Sequence, residues 1–457
     1  MRRRTLYHIV FPILVLGLLL ISGLAWNEAL VWTSTLVAIY IFLYNLTVKI
    51  NFLDVTAVAA CASYLMMPML VYNVFGEHNK LAALWQTYMT IDKSQYFSLA
   101  LPGTIGLLLG LWAPPMMTTA MKDEDLINRV KIYLKRKTVL GFVMICIGLM
   151  AMPLVLVAPE SLRALTYFIS QLTYVGVLYL LHSNIRLKAF GIIFIFMLMI
   201  AQTVITGMYG ELVYWSVMGF ILMMIGKKWF TLPYKILLLI FGVVILFMIQ
   251  SIKHEYRDVV WKGAVRGNDS ALFFRLVADR IQHPSHIFDP ERIYKVVVRA
   301  NQGYLVGRAM EYVPKHEPFA KGETIAKSFL AGIVPRFLWR DKPKVGGQEN
   351  ICRFLGDCGK YNYSYNIGQL GEAYVNFGVV GAWMYMFFYG YLLKSLFHFV
   401  RYLSVKRPSL ILWAPVLFYP AMVVETDLLT FFNTFIKGAI FCAFIYFIFR
   451  VVLKYRI

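Results

Sequence analysis

Runs of about 20 apolar residues recur along nearly the whole chain, and they restrict its fold more than any other feature. A run of that length, at about 1.5 Å per helical residue, crosses roughly 30 Å of hydrocarbon. Twelve such runs lie near 7–26, 30–48, 54–75, 95–113, 138–157, 164–182, 189–208, 211–226, 236–252, 370–393, 409–425 and 430–450. Only Tyr209, Gly210 and Glu211 punctuate the stretch 189–226, which reads as a tight hairpin. The chain is 60% apolar and only 15% charged, against about 45–50% and about 25% for soluble domains. An ordinary water-soluble protein is thereby excluded. The expectation is an all-α polytopic integral membrane protein of about 12 transmembrane helices.

Basic residues set the orientation. Taking the runs as alternating spans, 22 Lys and Arg fall in short connections or termini on one side. The short connections on the other side hold only Lys80, Lys93 and Arg163. Cytoplasmic loops carry such an excess, so both termini are expected in the cytoplasm. That use of Lys and Arg accounts for a net charge of +21 without nucleic acid as a partner. The opening MRRR with its apolar stretch reads as a retained first helix ending at Trp26-Asn27-Glu28, because no small-residue cleavage site follows it. There is no internal repeat.

Three regions follow: 1–252 with nine spans, 253–368 without long apolar runs, and 369–457 with three more spans. By alternation, the middle region is a large loop outside the cytoplasm. Its 116 residues hold 19 Lys and Arg against 12 Asp and Glu, which is compatible with the orientation because long loops are translocated largely regardless of charge. Arg292, Lys295 and Arg299 stand at helical spacing in ERIYKVVVRANQ with apolar residues between them, the pattern of an amphipathic interfacial helix. For the other cations, headgroup anchoring and an anion pocket both fit. Cys352 and Cys358 are separated by RFLGD outside the spans, where a local disulfide or two free thiols would be compatible with the compartment. His283 and His286 flank a proline, so no helical metal pair is read there.

Three stretches carry a resemblance. They are GRAMEYVPKHEPFAKGETIAKSFLAGIVPRFLWRDKPKVGG from Gly307, its core PRFLWRDKP from Pro335 to Pro343, and NIGQLGEAYVNFGVVGAW from Asn366. Over about residues 290–395 the chain resembles the oligosaccharide repeat-unit polymerases, the Wzy-type O-antigen and exopolysaccharide polymerases. The resemblance implies a GT-C-like membrane glycosyltransferase, metal-independent and without a cofactor, with its active site facing the periplasm at the bacterial inner membrane. Its substrates would be undecaprenyl pyrophosphate-linked oligosaccharides, one glycan being transferred to the non-reducing end of another lipid-linked repeat unit. Membrane lipids are partners, and a chain-length-regulating co-polymerase is one that the resemblance allows. A ligase moving the glycan to another acceptor and a flippase for lipid-linked sugars are the competing readings.

A pyrophosphate leaving group calls for fixed cations in a poorly hydrated place. Arg336 leads, held behind Pro335 and ahead of Phe337, Leu338 and Trp339, with Arg340 and Lys342 on the same segment; an interfacial anchor is the bland alternative. Arg299 and Arg308 flank NQGYLVG and are further candidates for substrate binding, against lipid headgroup contact. The acceptor hydroxyl needs a base or an orienting group. Glu372, at the mouth of the tenth run, is that candidate, although an acid in a first helical turn is also favoured by the helix dipole; His316 is the alternative base. Tyr374 and Asn376 are candidates for binding sugar hydroxyls. Glu425 and Asp427 read as loop carboxylates, and Lys437, inside the last run, as a residue that snorkels, pairs or meets a lipid phosphate.

Overall fold

The computed structural model describes residues 2–74, 89–135, 137–184, 197, 209–261, 270–283, 285, 290–336, 338–358 and 365–452. Helix dominates them, and among the described residues there is no strand. The first region contains α1 (Arg2–Ile21), α2 (Trp26–Asn45), α3 (Phe52–Val74), α4 (Lys93–Trp112), α5 (Asp123–Leu134), α6 (Thr138–Val157), α7 (Glu160–Ser170), α8 (Leu172–His182), α9 (Tyr209–Met224) and α10 (Leu232–Trp261). The middle region contributes α11 (Ser270–Gln282), α12 (Pro290–Ala300), α13 (Gly303–Tyr312), α14 (Glu323–Ile333) and α15 (Gln348–Leu355). The last region holds α16 (Gly368–Lys406), α17 (Ala414–Met422) and α18 (Leu428–Phe447).

Seven stretches among the described residues are long and apolar enough to cross a membrane: α2, α3, α4, Thr138–Val155 in α6, Leu162–His182 in α7 and α8, Leu232–Ile252 in α10, and Leu428–Val451. The protein is a helical membrane protein. Shorter apolar helices occur within α1, α9 and the Pro408–Met422 stretch that ends in α17. The expected span at 189–208, and with it the expected hairpin, lies outside the described residues.

The tenth apolar run departs from the simple span read from sequence. Residues 369 and 385 would stand about 24 Å apart along a continuous helix. Instead, Tyr385 Oη donates a hydrogen bond to Gln369 Oε1 at 2.9 Å. A Cβ built on Gly103 of α4 would lie 2.6 Å from Leu370 Cδ1 and 3.9 Å from Met386 Cγ, so one point on α4 meets both arms of α16. Residues 368–377 therefore form a short helix that doubles back on residues 379–406. The reversal occurs at Gly378, whose φ of 65° and ψ of −166° fall in a region open essentially to glycine alone. The second arm, at 28 residues or about 42 Å, is long enough to cross the membrane.

Small residues fix that arm against α4. A Cβ on Gly390 would lie 2.5 Å from Leu107 O, and one on Gly110 would overlap Phe387 O, so the two backbones touch directly. Membrane helices use small residues for this kind of approach, since packing must do what water cannot. At the far end of the arm, Arg401 Nε donates to Asp123 Oδ1 at 2.6 Å, and Ile50 N donates to Asp123 Oδ2 at 2.9 Å. Arg401 also reaches Thr119 and Met121 O.

The opposite end of the bundle is held by a π-helical turn, Cys61–Met66, inside α3. Its Tyr64 Oη donates to Val424 O at 3.0 Å, and its Ser63 O accepts from Gln302 N at 3.2 Å. These bonds seat the start of α13 and the turn before α18 on one support. The basic amphipathic helix expected at 292–299 is α12, with Arg292 paired to Glu255 at 2.8 Å. Cys352 and Cys358 are joined by a disulfide.

Gly378→Ala is expected to lower stability by about 1–3 kcal/mol, the cost of a side chain at a glycine-only conformation. Gly242→Ala, where a Cβ would meet nothing within 4 Å, should not lower it. Thermal unfolding of both variants in detergent tests the pair.

Candidate functional site

The doubled-back helix presents Glu372 to the start of α18. Glu372 Oε1 accepts from Thr324 Oγ1 at 3.1 Å, and Oε2 accepts from Leu428 N at 2.9 Å. Leu428 N is one of the unpaired donors at the beginning of any helix. The residue before it, Asp427, caps the same helix, its Oδ1 accepting from Thr430 N at 2.8 Å. Two carboxyl groups from sites 55 positions apart in sequence thus meet at one helix start, and both residues are 0% exposed. No Lys or Arg is bonded to either among the described residues. Hydrogen bonds therefore carry the cost of their burial.

Asn376 organises this corner. Its Nδ2 donates to Thr324 Oγ1 at 2.7 Å and to Glu372 O at 2.8 Å, while its Oδ1 accepts from Gly322 N at 3.0 Å. The threonine hydroxyl accepts from Asn376 and donates to Glu372, so one relay sets the rotamer of the acid. The backbone joins in: Ala320 N donates to Val375 O at 2.8 Å and Lys321 N to Asn376 O at 3.1 Å. Tyr374 points elsewhere, its hydroxyl donating to Val313 O at 2.9 Å at the end of α13. Both residues expected to meet sugar hydroxyls thus have internal partners.

A cleft of about 170 Å³ opens beside this corner. Asp427, Thr324 and Ser328 line it, whereas Glu372 does not. Asp427 Oδ2 is buried and has no hydrogen-bond partner.

The cations divide into two sets. Arg299 forms a fork with Glu425, at 2.8 and 2.9 Å, and Arg308 pairs with Asp357 at 2.8 Å. Arg336, Lys342 and Lys437, by contrast, lie close enough for their charges to repel one another. Lys342 Nζ donates to Val334 O at 2.8 Å. Burial, and then the charge of Arg336, hold the Lys342 ammonium below the ordinary lysine value. Lys437 is exposed on the flank of α18, nine positions beyond Leu428. Side chains on a helix lean toward its N-terminus, which directs Lys437 toward the segment carrying Arg336 and Lys342. Arg340 is exposed on that segment, and His316 lies against the Tyr312 ring at 4.9 Å.

Two participants were hard to see in sequence. Thr324 had no motif of its own. Asp427 read as a loop acid, although Asp-Leu-Leu-Thr ahead of an apolar run is a helix-start signal. Among the described residues, no group of three His, Cys, Asp or Glu side chains is placed to hold a metal ion.

The family described as Domain of unknown function (DUF8712) matches residues 45–400. The chain belongs to that family. The match takes in α3 to α15, the Gly378 reversal and Glu372, and ends before Asp427 and Lys437. No curated protein matches the chain, and no solved structure does.

Asn376→Ala removes three hydrogen bonds and leaves Gly322 N–H without its acceptor. A loss of about 2–3 kcal/mol is expected, by the cost of stranding a buried polar group. Glu372→Gln keeps both its size and an acceptor, so it should cost about 1 kcal/mol or less. Thermal unfolding of the detergent-purified variants reads both values.

Proposed function

We propose that this DUF8712 protein is a polymerase of lipid-linked oligosaccharide repeat units, working from an isoprenoid pyrophosphate donor. The observation that carries the reading is the convergence of Arg336, Lys342 and Lys437, with Lys437 on the exposed flank of an apolar helix. A lysine placed there gains from an anion that arrives within the bilayer, as a lipid pyrophosphate does. The resemblance of the 307–347 and 366–383 stretches to Wzy-type polymerases supports the same chemistry.

In this reading, the chain crosses the bacterial inner membrane about twelve times in a GT-C-like arrangement. Both termini are cytoplasmic, and α11 to α15 face the periplasm. The acceptor hydroxyl attacks the anomeric carbon of the donor sugar. The bond from that carbon to the pyrophosphate oxygen breaks and its electron pair leaves with the pyrophosphate, whose new charge Arg336, Lys342 and Lys437 stabilise. The acceptor proton passes to Asp427, beside which Glu372 is held, and then to water. Lys342, tied to Val334 O, is in place before the reaction, so it needs little reorganisation as charge develops.

Protein purified into lipid nanodiscs and given the lipid-linked repeat unit should yield a ladder of glycan lengths on a gel. Arg336→Ala and Lys437→Ala should each reduce the rate by about 10²–10³-fold, the usual cost of removing a preorganised charge partner. Absence of a ladder from the folded wild-type protein rejects the reading.

Lys342 adds a pH test. Because its ammonium is held below the ordinary value, its charge is present on the acid side and lost as pH rises through that lowered value. Activity should therefore fall on the alkaline side. Lys342→Arg, whose side chain stays charged, should move that alkaline limb to higher pH.

A further inference from the structure

The cleft beside the carboxyl pair has a chemistry of its own. Three acids, Glu323, Glu349 and Asp427, and three bases, Lys327, Lys344 and Arg353, line it. Several of these charges are already matched: Glu323 pairs with Lys327, and with Arg353 at 3.0 Å. Lys327 and then Arg353 hold the Glu323 carboxyl below the usual range. With its charges balanced and cross-linked, the cleft offers neither an anion nor a cation a net attraction. It does offer acceptors and donors close together, which suits a ligand rich in hydroxyl groups.

Size and shape agree. A volume of about 170 Å³ equals that of roughly six liquid waters, room for one sugar ring. Pro343 and Leu429 give the wall an apolar patch for the C–H face of such a ring, and Asn350 adds an amide at the rim. Gly347 packs directly on residues 365 and 366, since a Cβ there would be 2.5 Å from Tyr365 O and would overlap Asn366. Asp427 is one of the residues that line the space, and its Oδ2 is buried and unpartnered. A carboxylate oxygen in that state calls for a donor from a ligand.

We infer that this cleft is a monosaccharide subsite, in which Asp427 accepts a hydrogen bond from a hydroxyl of the acceptor's terminal sugar. The assignment rests on the polymerase reading for the word acceptor, while the sugar site itself stands on the cleft. Asp427 then touches substrate, and Glu372, sealed behind Thr324 and Leu428 N, is a positioning residue. Geometry relates the subsite to the cation group. Lys437 is ten positions beyond Asp427, about 15 Å along the axis, and its side chain returns part of that distance. A pyrophosphate and its first sugar fill what remains. Lys344 and Pro343 line the subsite while Lys342, on the same strand of chain, belongs to the cation group.

The test uses the full-length protein in nanodiscs, with saturation-transfer NMR on a panel of methyl glycosides of hexoses and N-acetylhexosamines. Farnesyl pyrophosphate serves as the isoprenoid diphosphate probe. At least one glycoside should bind saturably. Asn350→Trp, which fills the cleft from its rim, and Asp427→Asn, which keeps the helix cap, should each weaken it tenfold or more. Asn350→Ala guards against misfolding and should weaken it severalfold. None of the three should move farnesyl pyrophosphate affinity by more than twofold, whereas Lys437→Ala should. If no glycoside binds, or if the Asn350 and Asp427 variants bind it as wild type does, the subsite is rejected whether or not a ladder forms. If glycoside binding is lost in those variants but wild type makes no ladder, the sugar site stands and the polymerase reading fails.

Discussion

Everything at the candidate site depends on one backbone reversal. With Gly378 in a conformation that side chains disfavour, residues 368–377 lie alongside residues 379–406 instead of extending them. Only then does Glu372 face the start of α18, and only then can Asn376 bridge to Thr324 on α14. The reversal is held from several directions. Tyr385 ties the two arms across the turn, and Leu370 presses on Gly103 of α4. The backbone of residues 375–376 is bonded to Ala320 and Lys321. The reversal persists because glycine can adopt it and its surroundings leave it no alternative.

The same contacts explain why buried acids are tolerated. A carboxyl group removed from water is costly unless hydrogen bonds replace the lost solvent. Glu372 receives Thr324 Oγ1 and Leu428 N, and Asp427 receives Thr430 N. Two of these three donors are backbone groups of the first helical turn, which would otherwise lack partners. Helix start and acid pair therefore satisfy one another. The remaining Asp427 oxygen is the exception, and it belongs to the residue that borders the cleft.

The membrane character of the chain was legible because span length is a local property. The runs at 30–48, 54–75, 95–113 and 138–157 fall on α2, α3, α4 and α6. What escaped was the tenth run, since a pattern such as Gly368, Gly371, Gly378 and Gly381 reads alike in a straight span and in a reversed one. Tertiary contacts with α4 and with residues 320–322 decide between them. The partners of single residues escaped similarly. Tyr374 and Asn376 look like sugar binders in sequence, but their partners, Val313 O and Thr324, come from elsewhere in the chain. Arg299 and Arg308 look like free cations until Glu425 and Asp357 are placed.

Charge separation gives the site its remaining logic. Had Lys437 or Arg336 stood within about 4 Å of Asp427, the pair would gain about 4 kcal/mol at an effective dielectric near 20. It would close into a salt bridge with no field left for a substrate. Across about 15 Å of α18 the same interaction falls to about 1 kcal/mol. Asp427 and Lys437, at the start and on the flank of α18, thereby stay apart, and Asp427 keeps one oxygen without a partner. The acids are held by hydrogen bonds at the helix start, while Lys437 stands on its exposed flank and Arg336 and Lys342 on the segment after α14. Such an arrangement is poor as a stabilising device, because mutual repulsion among Arg336, Lys342 and Lys437 opposes folding. It is well suited to a ligand that brings negative charge along the lipid side and hydroxyl groups to the cleft.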